Sequence, residues 1–386
     1  MKVILYGLGK GLEYVESNLK EAHEIIGYSD SFATIKVFKG KPFYMLEQLP
    51  EISFDYLIIT VKNRKESWKI YELLSNGPYK IAMAKVIPFY VYAKSEYWDI
   101  CMNKADIKQA EGLIMGTSYV RNGFLTNYLS VPFINLGVPS QDLFSELETF
   151  KAIIAKYGNK LQKLKYIVID MFDYYYFNYD ASLCKVFFSY LGYGGIIRKH
   201  HYDYNAWYKN EFEKELLIQL GIKRDRDITN ILDELFEEHA ALDFEVLAGE
   251  RWKYINGDVP LPIGHFMAHI INKKDEGVIA NNRRYLEELL EVIHNFNPDI
   301  KIVLVLMPKY ISLEKTKEIT LGQWKDDFDK IIEEICKREN VYFKNYKFCT
   351  GIYDNNHFWY DIDHLNTAGA RCLTSIFDED LKKELY

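Results

Sequence analysis

Short apolar strand patterns alternate with amphipathic helix patterns along this chain, and the alternation starts twice. The first round opens on KVILYG at residue 2 and ends near VIPFYVYAK, and a second round follows from about residue 94. Strands that alternate with helices predict parallel sheets with helices packed on their faces. A chain of 386 residues also exceeds what one hydrophobic core usually organises. We therefore predict an α/β protein of two domains, residues 1–93 and residues 94–386.

Three glycines follow the first predicted strand, at Gly7, Gly9 and Gly11, and Asp30 ends the second. Backbone N–H groups at such a turn can approach a phosphate, and an acid at the position of Asp30 can bind a ribose. Leu12 stands where the full dinucleotide motif has its third glycine, which favours glycines that serve only a tight strand-to-helix turn. Residues 1–93 resemble the small Rossmann-like domains of bacterial polysaccharide-biosynthesis enzymes, including sugar acetyltransferases.

Polar residues and a glycine follow three predicted strands of the second round. Ser118 comes after GLIMGT, Gly137 after PFINL, and Asp170 and Asp173 after LKYIVI. The carboxyl ends of parallel strands meet at one edge of a sheet, where ligands collect. The sequence therefore predicts that these residues lie at the same edge.

A histidine and an aspartate stand three residues apart near the C-terminus, in YDIDHLNTAGA. At this spacing Asp361 can accept the Nδ1 hydrogen of His364, which leaves Nε2 free to take a proton from Ser118. Asp363 is the alternative acid. The alternative interpretation is that His364 is a structural histidine and that Asp361 is only a helix cap.

The order of GTS, NLGVPSQD and DxxHLNxxGA resembles that of the SGNH or GDSL-type serine hydrolases and related acyl-modifying enzymes, over residues 110–386. The resemblance implies a flavodoxin-like α/β/α domain, with Ser118 as nucleophile and Asp361 and His364 as acid and base. It also implies that the N–H groups of Ser118 and Gly137 form the oxyanion hole.

The chain departs from the family pattern in two places, and the second departure affects the expected catalytic rate. GTS replaces the commoner GDS but keeps the serine. The third block normally carries an asparagine that completes the oxyanion hole, whereas this chain has IDMFDYYYFNYD, with Asn178 farther along. An ionised carboxylate cannot donate a hydrogen bond, and loss of one such donor costs on the order of a hundredfold in rate.

Residues of about 196–262 have helical periodicity and lie between the third and fourth strands, so we predict an insertion that forms a lid or specificity wall. His200 and His201 begin it and are typical of either a loop or a substrate channel. His265 and His269 have helical spacing but lack the glutamate of zinc proteases, so no metal is expected.

Charge, cysteine spacing and hydropathy exclude several classes of function. The formal charge is −7, the five cysteines show no CxxC spacing, and no apolar run approaches the length of a membrane span. We therefore expect a cytoplasmic protein without a nucleic-acid partner, a membrane span or a cofactor. The expected function is that of an acyl esterase or O-acyltransferase with a carbohydrate substrate. The alternative is a catalytically inactive protein that binds a nucleotide or nucleotide sugar.

Overall fold

The computed structural model describes residues 1–92, 97–181, 231–232, 234–236, 260–261 and 274–384. The chain forms two compact units, one of Met1–Ser95 with Ala206–Leu247 and one of Glu96–Asn205 with Ala248–Tyr386. Each unit contains one sheet with mostly parallel strand pairs. The predicted α/β class with two domains is therefore confirmed.

The first unit has a six-stranded sheet in the order β3-β4-β2-β1-β5-β6. Its strands are β1 (Lys2–Tyr6), β2 (Glu24–Ser29), β3 (Val37–Phe38), β4 (Lys41–Tyr44), β5 (Tyr56–Ile59) and β6 (Val86–Pro88). Its helices include α1 (Leu12–Asn18), α2 (Arg64–Asn76) and α3 (Phe89–Tyr92). The sequence prediction missed the antiparallel pair β3–β4. Lys39 and Gly40 join that pair with positive φ at both residues, which suits a tight two-residue hairpin turn.

A short helical stretch from the predicted insertion belongs to the first unit. Leu232, Leu235 and Phe236 are buried in the core of its sheet, and the ring of Phe236 lies 4.7 Å from that of Phe89. Burial of these apolar side chains explains why Ala206–Leu247 groups with the first unit, although the prediction placed it in the second domain. The predicted lid over 196–262 otherwise falls almost wholly outside the described residues.

The second unit has a five-stranded, fully parallel sheet in the order β8-β7-β9-β10-β11. Its strands are β7 (Gly112–Met115), β8 (Phe133–Asn135), β9 (Tyr166–Asp170), β10 (Lys301–Leu306) and β11 (Val341–Asn345). Its helices include α4 (Tyr97–Lys104), α5 (Ser118–Gly123), α6 (Leu143–Tyr157), α7 (Glu276–Phe296), α8 (Ile311–Ile335) and α9 (Thr367–Glu384). Counted along the unit, the strand order is 2-1-3-4-5, which is the flavodoxin-like order.

Helices cover both faces of this sheet. Leu113 and Met115 of β7 face a core that includes side chains of α6, α7 and α8, whereas Ile114 faces a second core with side chains of α5 and α9. The alternation follows from the two-residue period of a strand. The second unit is therefore a three-layer α/β/α structure.

The strand order reverses direction beside β7. From β7 the chain moves outward to β8 and then crosses back to β9 on the other side. At such a switch point the loops beyond the carboxyl ends of the two central strands diverge and leave a crevice. Ser118 follows β7 and Asp170 ends β9, so this crevice is the candidate site.

Candidate active site

A sharp turn after β7 presents Ser118. Gly116 has φ of +134°, and a Cβ atom placed there would lie 2.2 Å from the Cβ of Asp170, so only glycine fits. Thr117 is the N-cap of α5, and its Oγ1 accepts the N–H of Tyr119 at 3.2 Å. Ser118 is the first residue of α5, where a backbone N–H has no partner within the helix.

The turn is anchored to the neighbouring strand through Asp170. Thr117 donates to Asp170 Oδ2 from its Oγ1, at 2.5 Å, and from its N–H, at 3.2 Å. The N–H of Phe172 donates to the other carboxylate oxygen at 2.8 Å. Burial raises the pKa of Asp170 despite these hydrogen bonds. Asp170, which the sequence placed at this edge, therefore holds the turn that carries Ser118 in position.

His364 brings the two ends of the second unit together. Its Nε2 lies 2.8 Å from Ser118 Oγ, and its Nδ1 lies 2.9 Å and 3.0 Å from the carboxylate oxygens of Asp361. This arrangement corresponds to the tautomer with hydrogen on Nδ1, in which Nε2 accepts the serine hydroxyl hydrogen. The structure thus brings the three predicted residues into one hydrogen-bonded chain, in the geometry of a Ser-His-Asp triad.

The loop before α9 orients Asp361. The backbone N–H groups of Asp363 and His364 donate to Asp361 Oδ1 at 2.8 Å and 2.7 Å. Burial raises the pKa of Asp361, but the hydrogen bond and charge of His364 and these two N–H groups lower it by more, so the net shift is downward. The carboxylate is therefore ionised at neutral pH.

Asp363, the alternative acid, has a different partner. Its Oδ1 accepts the hydroxyl hydrogen of Tyr119 at 3.0 Å. The Tyr119 ring in turn stacks on the imidazole of His364, with centroids 5.3 Å apart and planes 13° apart. Burial, followed by the charge of Asp363, raises the pKa of the Tyr119 hydroxyl well above its usual value. The sequence analysis missed Tyr119, because no spacing rule links it to a residue at the other end of the chain.

Gly137 lies against the turn that carries Ser118. A Cβ atom there would come within 2.8 Å of the carbonyl oxygen of Thr117 and 2.9 Å of the backbone nitrogen of Arg121. Its own N–H donates to Asn135 Oδ1 at 3.0 Å, and the Asn135 amide donates to the carbonyl of Val120 at 2.9 Å. The N–H that the family resemblance assigns to the oxyanion hole is therefore engaged within the chain.

A buried ionic cluster occupies the third-block region. Asp173 accepts hydrogen bonds from Lys309 at 2.6 Å and from Lys347 at 2.8 Å, and Lys347 also contacts Glu314 at 2.8 Å. All four side chains are almost fully buried. Asn178, the third-block amide considered above, accepts the N–H of Asp275 at 2.8 Å. Asp173 therefore has a structural role, and the two lysines are members of the site region that sequence analysis missed.

The glycines of the first unit have local structural roles. Gly7 has φ of +103°, and a Cβ atom on Gly11 would lie 2.0 Å from the carbonyl oxygen of Thr60. Gly9 has open space around it. Gly7 is therefore needed for the backbone turn, and Gly11 is needed for close packing against Thr60, which directly follows β5.

Asp30 binds the same turn. Its carboxylate accepts the N–H of Leu8 at 3.0 Å and the N–H of Phe32 at 2.9 Å. These hydrogen bonds fasten the loop after β1 to the end of β2. The acid considered for ribose binding thus contacts backbone of its own unit.

The remaining observations concern metal binding, membrane-spanning helices and a groove elsewhere in the second unit. Among the described residues, no group of three His, Cys, Asp or Glu side chains is arranged to hold a metal ion. His200, His201, His265 and His269 lie outside the described ranges. In the part of the chain with assigned structure, no helix has the length and apolar character needed to cross a membrane. A groove of about 470 Å³ near His294 and Arg338 lies at the amino end of β10 and β11, away from the triad edge.

Fold and site together define an α/β protein with a Ser-His-Asp arrangement at the switch point of its second sheet. No protein-family model matches the sequence. No curated protein matches it either. A solved structure provisionally described as a platelet activating factor from Streptococcus pneumonia aligns with a TM-score of 0.36 and 13% sequence identity, over 75% of this chain and 89% of that chain. A TM-score this low does not establish a shared fold.

Proposed function

We propose that this protein is a serine-dependent acyl esterase or O-acyltransferase that acts on an O-acylated carbohydrate or polysaccharide precursor. The observation that carries the proposal is the continuous hydrogen-bonded chain from Ser118 Oγ through His364 to Asp361. A nucleophilic serine needs a base within about 2.6–3.2 Å and an acid that orients the base. Both requirements are met at the crevice where ligands of such sheets bind.

The proposed reaction has two halves, the formation of an acyl ester on Ser118 and its breakdown. His364 Nε2 takes the hydroxyl proton of Ser118 as Oγ bonds to the acyl carbonyl carbon, and the imidazolium then gives that proton to the departing sugar oxygen. An acyl ester remains on Ser118. In the second half, water or a sugar hydroxyl loses its proton to Nε2 and attacks the ester, and Ser118 Oγ regains a proton as the ester bond breaks.

The oxyanion of each tetrahedral intermediate needs hydrogen-bond donors. The N–H of Ser118, at the start of α5, is one donor. The N–H of Gly137 becomes the second donor when it exchanges Asn135 Oδ1 for the substrate oxygen. The absent third-block asparagine corresponds to about a hundredfold in rate, so we expect a slow enzyme with the same chemistry.

Aromatic side chains support a carbohydrate substrate. The Phe172 ring follows β9 and contacts Tyr175 and Tyr179, each with its centroid 5.3 Å away. Ligand sites commonly combine aromatic faces with a few polar groups. The resemblance of residues 1–93 to domains of polysaccharide-biosynthesis enzymes points to the same substrate class.

The alternative, a nucleotide-binding protein without catalytic activity, has weaker support. Asp30 uses both carboxylate oxygens on backbone N–H groups. Helix α1 has only seven residues, so little helix dipole is available to hold a phosphate. The hydrogen-bonded set of Ser118, His364 and Asp361 also favours the catalytic proposal over this alternative.

Labelling with a fluorophosphonate probe, together with hydrolysis of an aryl acetate, tests the proposal. We expect the wild type to be labelled and active, and Ser118→Ala to lose both properties. Ser375→Ala is the matched control, because that serine lies exposed on α9 and only donates to the carbonyl of Arg371. Labelling that persists in Ser118→Ala, or inactivity of the wild type in both assays, contradicts the proposal.

A further inference from the structure

Tyr119 lies directly against the proposed general base. Its ring is nearly parallel to the imidazole of His364, and its hydroxyl donates to Asp363. The N–H of Asp363 donates to Asp361 Oδ1, the oxygen nearest to His364 Nδ1. Tyr119 therefore contacts both the imidazole and the loop that orients it.

A buried cation keeps the Tyr119 ring in place. The ammonium of Lys309 lies 4.6 Å from the ring centroid and is fully buried. It donates to Asp173 at 2.6 Å and to the carbonyl oxygen of Phe172 at 3.0 Å. Because displacement of the ammonium would take an ion-pair partner away from the buried carboxylate of Asp173, which is strongly destabilising, the ring has a rigid support.

Tyr119 is also tied to the nucleophile. It follows Ser118 in α5, and its N–H is capped by Thr117, which in turn is held by Asp170. The backbone of Tyr119 is thus fixed to the β7–β9 edge, while its side chain reaches the loop before α9. One residue links the two parts of the chain that have to meet for proton transfer.

We propose that Tyr119 is a positioning residue that keeps His364 Nε2 within hydrogen-bonding distance of Ser118 Oγ. The inference rests on the proposed function. The stacked ring limits rotation of the imidazole, and its π face attracts the imidazolium that forms when the serine proton is transferred. The aromatic ring, rather than the hydroxyl, supplies both effects.

Two substitutions separate the ring from the hydroxyl. We expect Tyr119→Leu to lower kcat for aryl acetate hydrolysis and the rate of fluorophosphonate labelling by about 10- to 100-fold, since a displacement of about 1 Å costs that much. KM should stay within about threefold, because substrate binding is not the step that changes. Tyr119→Phe should retain near wild-type kcat. Phe377→Leu is the control for lost packing, because it removes another buried aromatic ring from the core against which Tyr119 packs.

A resonance readout makes failure of this inference distinguishable from failure of the proposed function. The imidazole C–H signals of His364, assigned by their loss in His364→Asn, should carry a ring-current shift that disappears in Tyr119→Leu and persists in Tyr119→Phe. An active wild type with an unaffected Tyr119→Leu overturns the inference alone. Equal loss in the Phe and Leu variants overturns it too, because the effect then lies in the hydroxyl. A wild type that is neither labelled nor active overturns the proposed function and this inference together.

Discussion

Asp361→Asn is the most informative perturbation of the triad, because it keeps the shape of the side chain and changes only its charge and its hydrogens. Asp361 Oδ1 accepts two backbone N–H groups, from Asp363 at 2.8 Å and from His364 at 2.7 Å. These donors hold a carbonyl oxygen at the Oδ1 position. The new amide nitrogen therefore occupies the Oδ2 position, which lies 3.0 Å from His364 Nδ1.

The expected loss follows from that geometry. An N–H that faces Nδ1 competes with the Oδ1 carbonyl, 2.9 Å from Nδ1, and favours the tautomer with hydrogen on Nε2, which cannot take the proton of Ser118. The negative charge that stabilises the imidazolium is lost as well. Substitutions that produce the wrong tautomer cost about 10⁴-fold in kcat. At 1.36 kcal/mol per tenfold, this loss corresponds to about 5.4 kcal/mol of transition-state stabilisation.

Aryl acetate hydrolysis measured for Asp361→Asn and Asp363→Asn provides the test and its matched control. Asp363 stands two residues away in the same loop, but its carboxylate accepts from Tyr119 and not from the imidazole. We expect Asp363→Asn to lose less than about tenfold in kcat/KM, because only the support of the Tyr119 hydroxyl changes. A larger loss in Asp363→Asn than in Asp361→Asn would refute the assignment of the acid.

Two further predictions concern the fold around the site. Gly116→Ala should lower the free energy of unfolding, measured by urea denaturation, by about 2–4 kcal/mol, because its Cβ would overlap Asp170 at a φ that side chains avoid. The control Gly9→Ala should stay near wild type, because Gly9 has open space around it. Equal losses of stability in the two variants would contradict this prediction. Burial raises the pKa of Glu146 well above its usual value, so the native state binds a proton that the unfolded chain releases and stability falls as pH rises above the unfolded value of about 4.3. Glu146→Gln should therefore gain more stability over the wild type at pH 8 than at pH 4, and a gain that does not depend on pH would be evidence against a neutral Glu146.

Much of the second unit could be predicted because its signals are local. Four of the five strands are short apolar runs ended by a turn residue, as burial on both faces requires, whereas β11 is only partly buried, carries Lys344 and Asn345, and was not predicted. The i, i+3 relation of Asp361 and His364 is equally local, since neighbouring residues in one loop meet without help from the rest of the fold. The hairpin Val37–Tyr44 escaped detection because strands of two and four residues carry too few positions to show a period.

Contacts between distant parts of the chain could not be derived in the same way. The stretch Leu232–Phe236 has helical periodicity in either unit, and only the apolar surface it meets decides that it packs on the first sheet. The engagement of the Gly137 N–H by Asn135 depends on a side-chain rotamer. Lys309 and Lys347 would be expected at the surface from composition, because a buried ammonium is stable only when carboxylates are buried beside it.

The sequence by itself determined most of the segments that become strands, where the turns that require glycine fall, and which residue types stand at the ends of those strands. Tertiary structure alone decided that Ser118 and His364 meet and that Tyr119 stacks on the imidazole. The reason is physical. Local patterns record the preference of each segment for its own conformation and for burial, whereas a hydrogen bond between two ends of a unit exists only after the sheet order and the helix packing have brought those ends together.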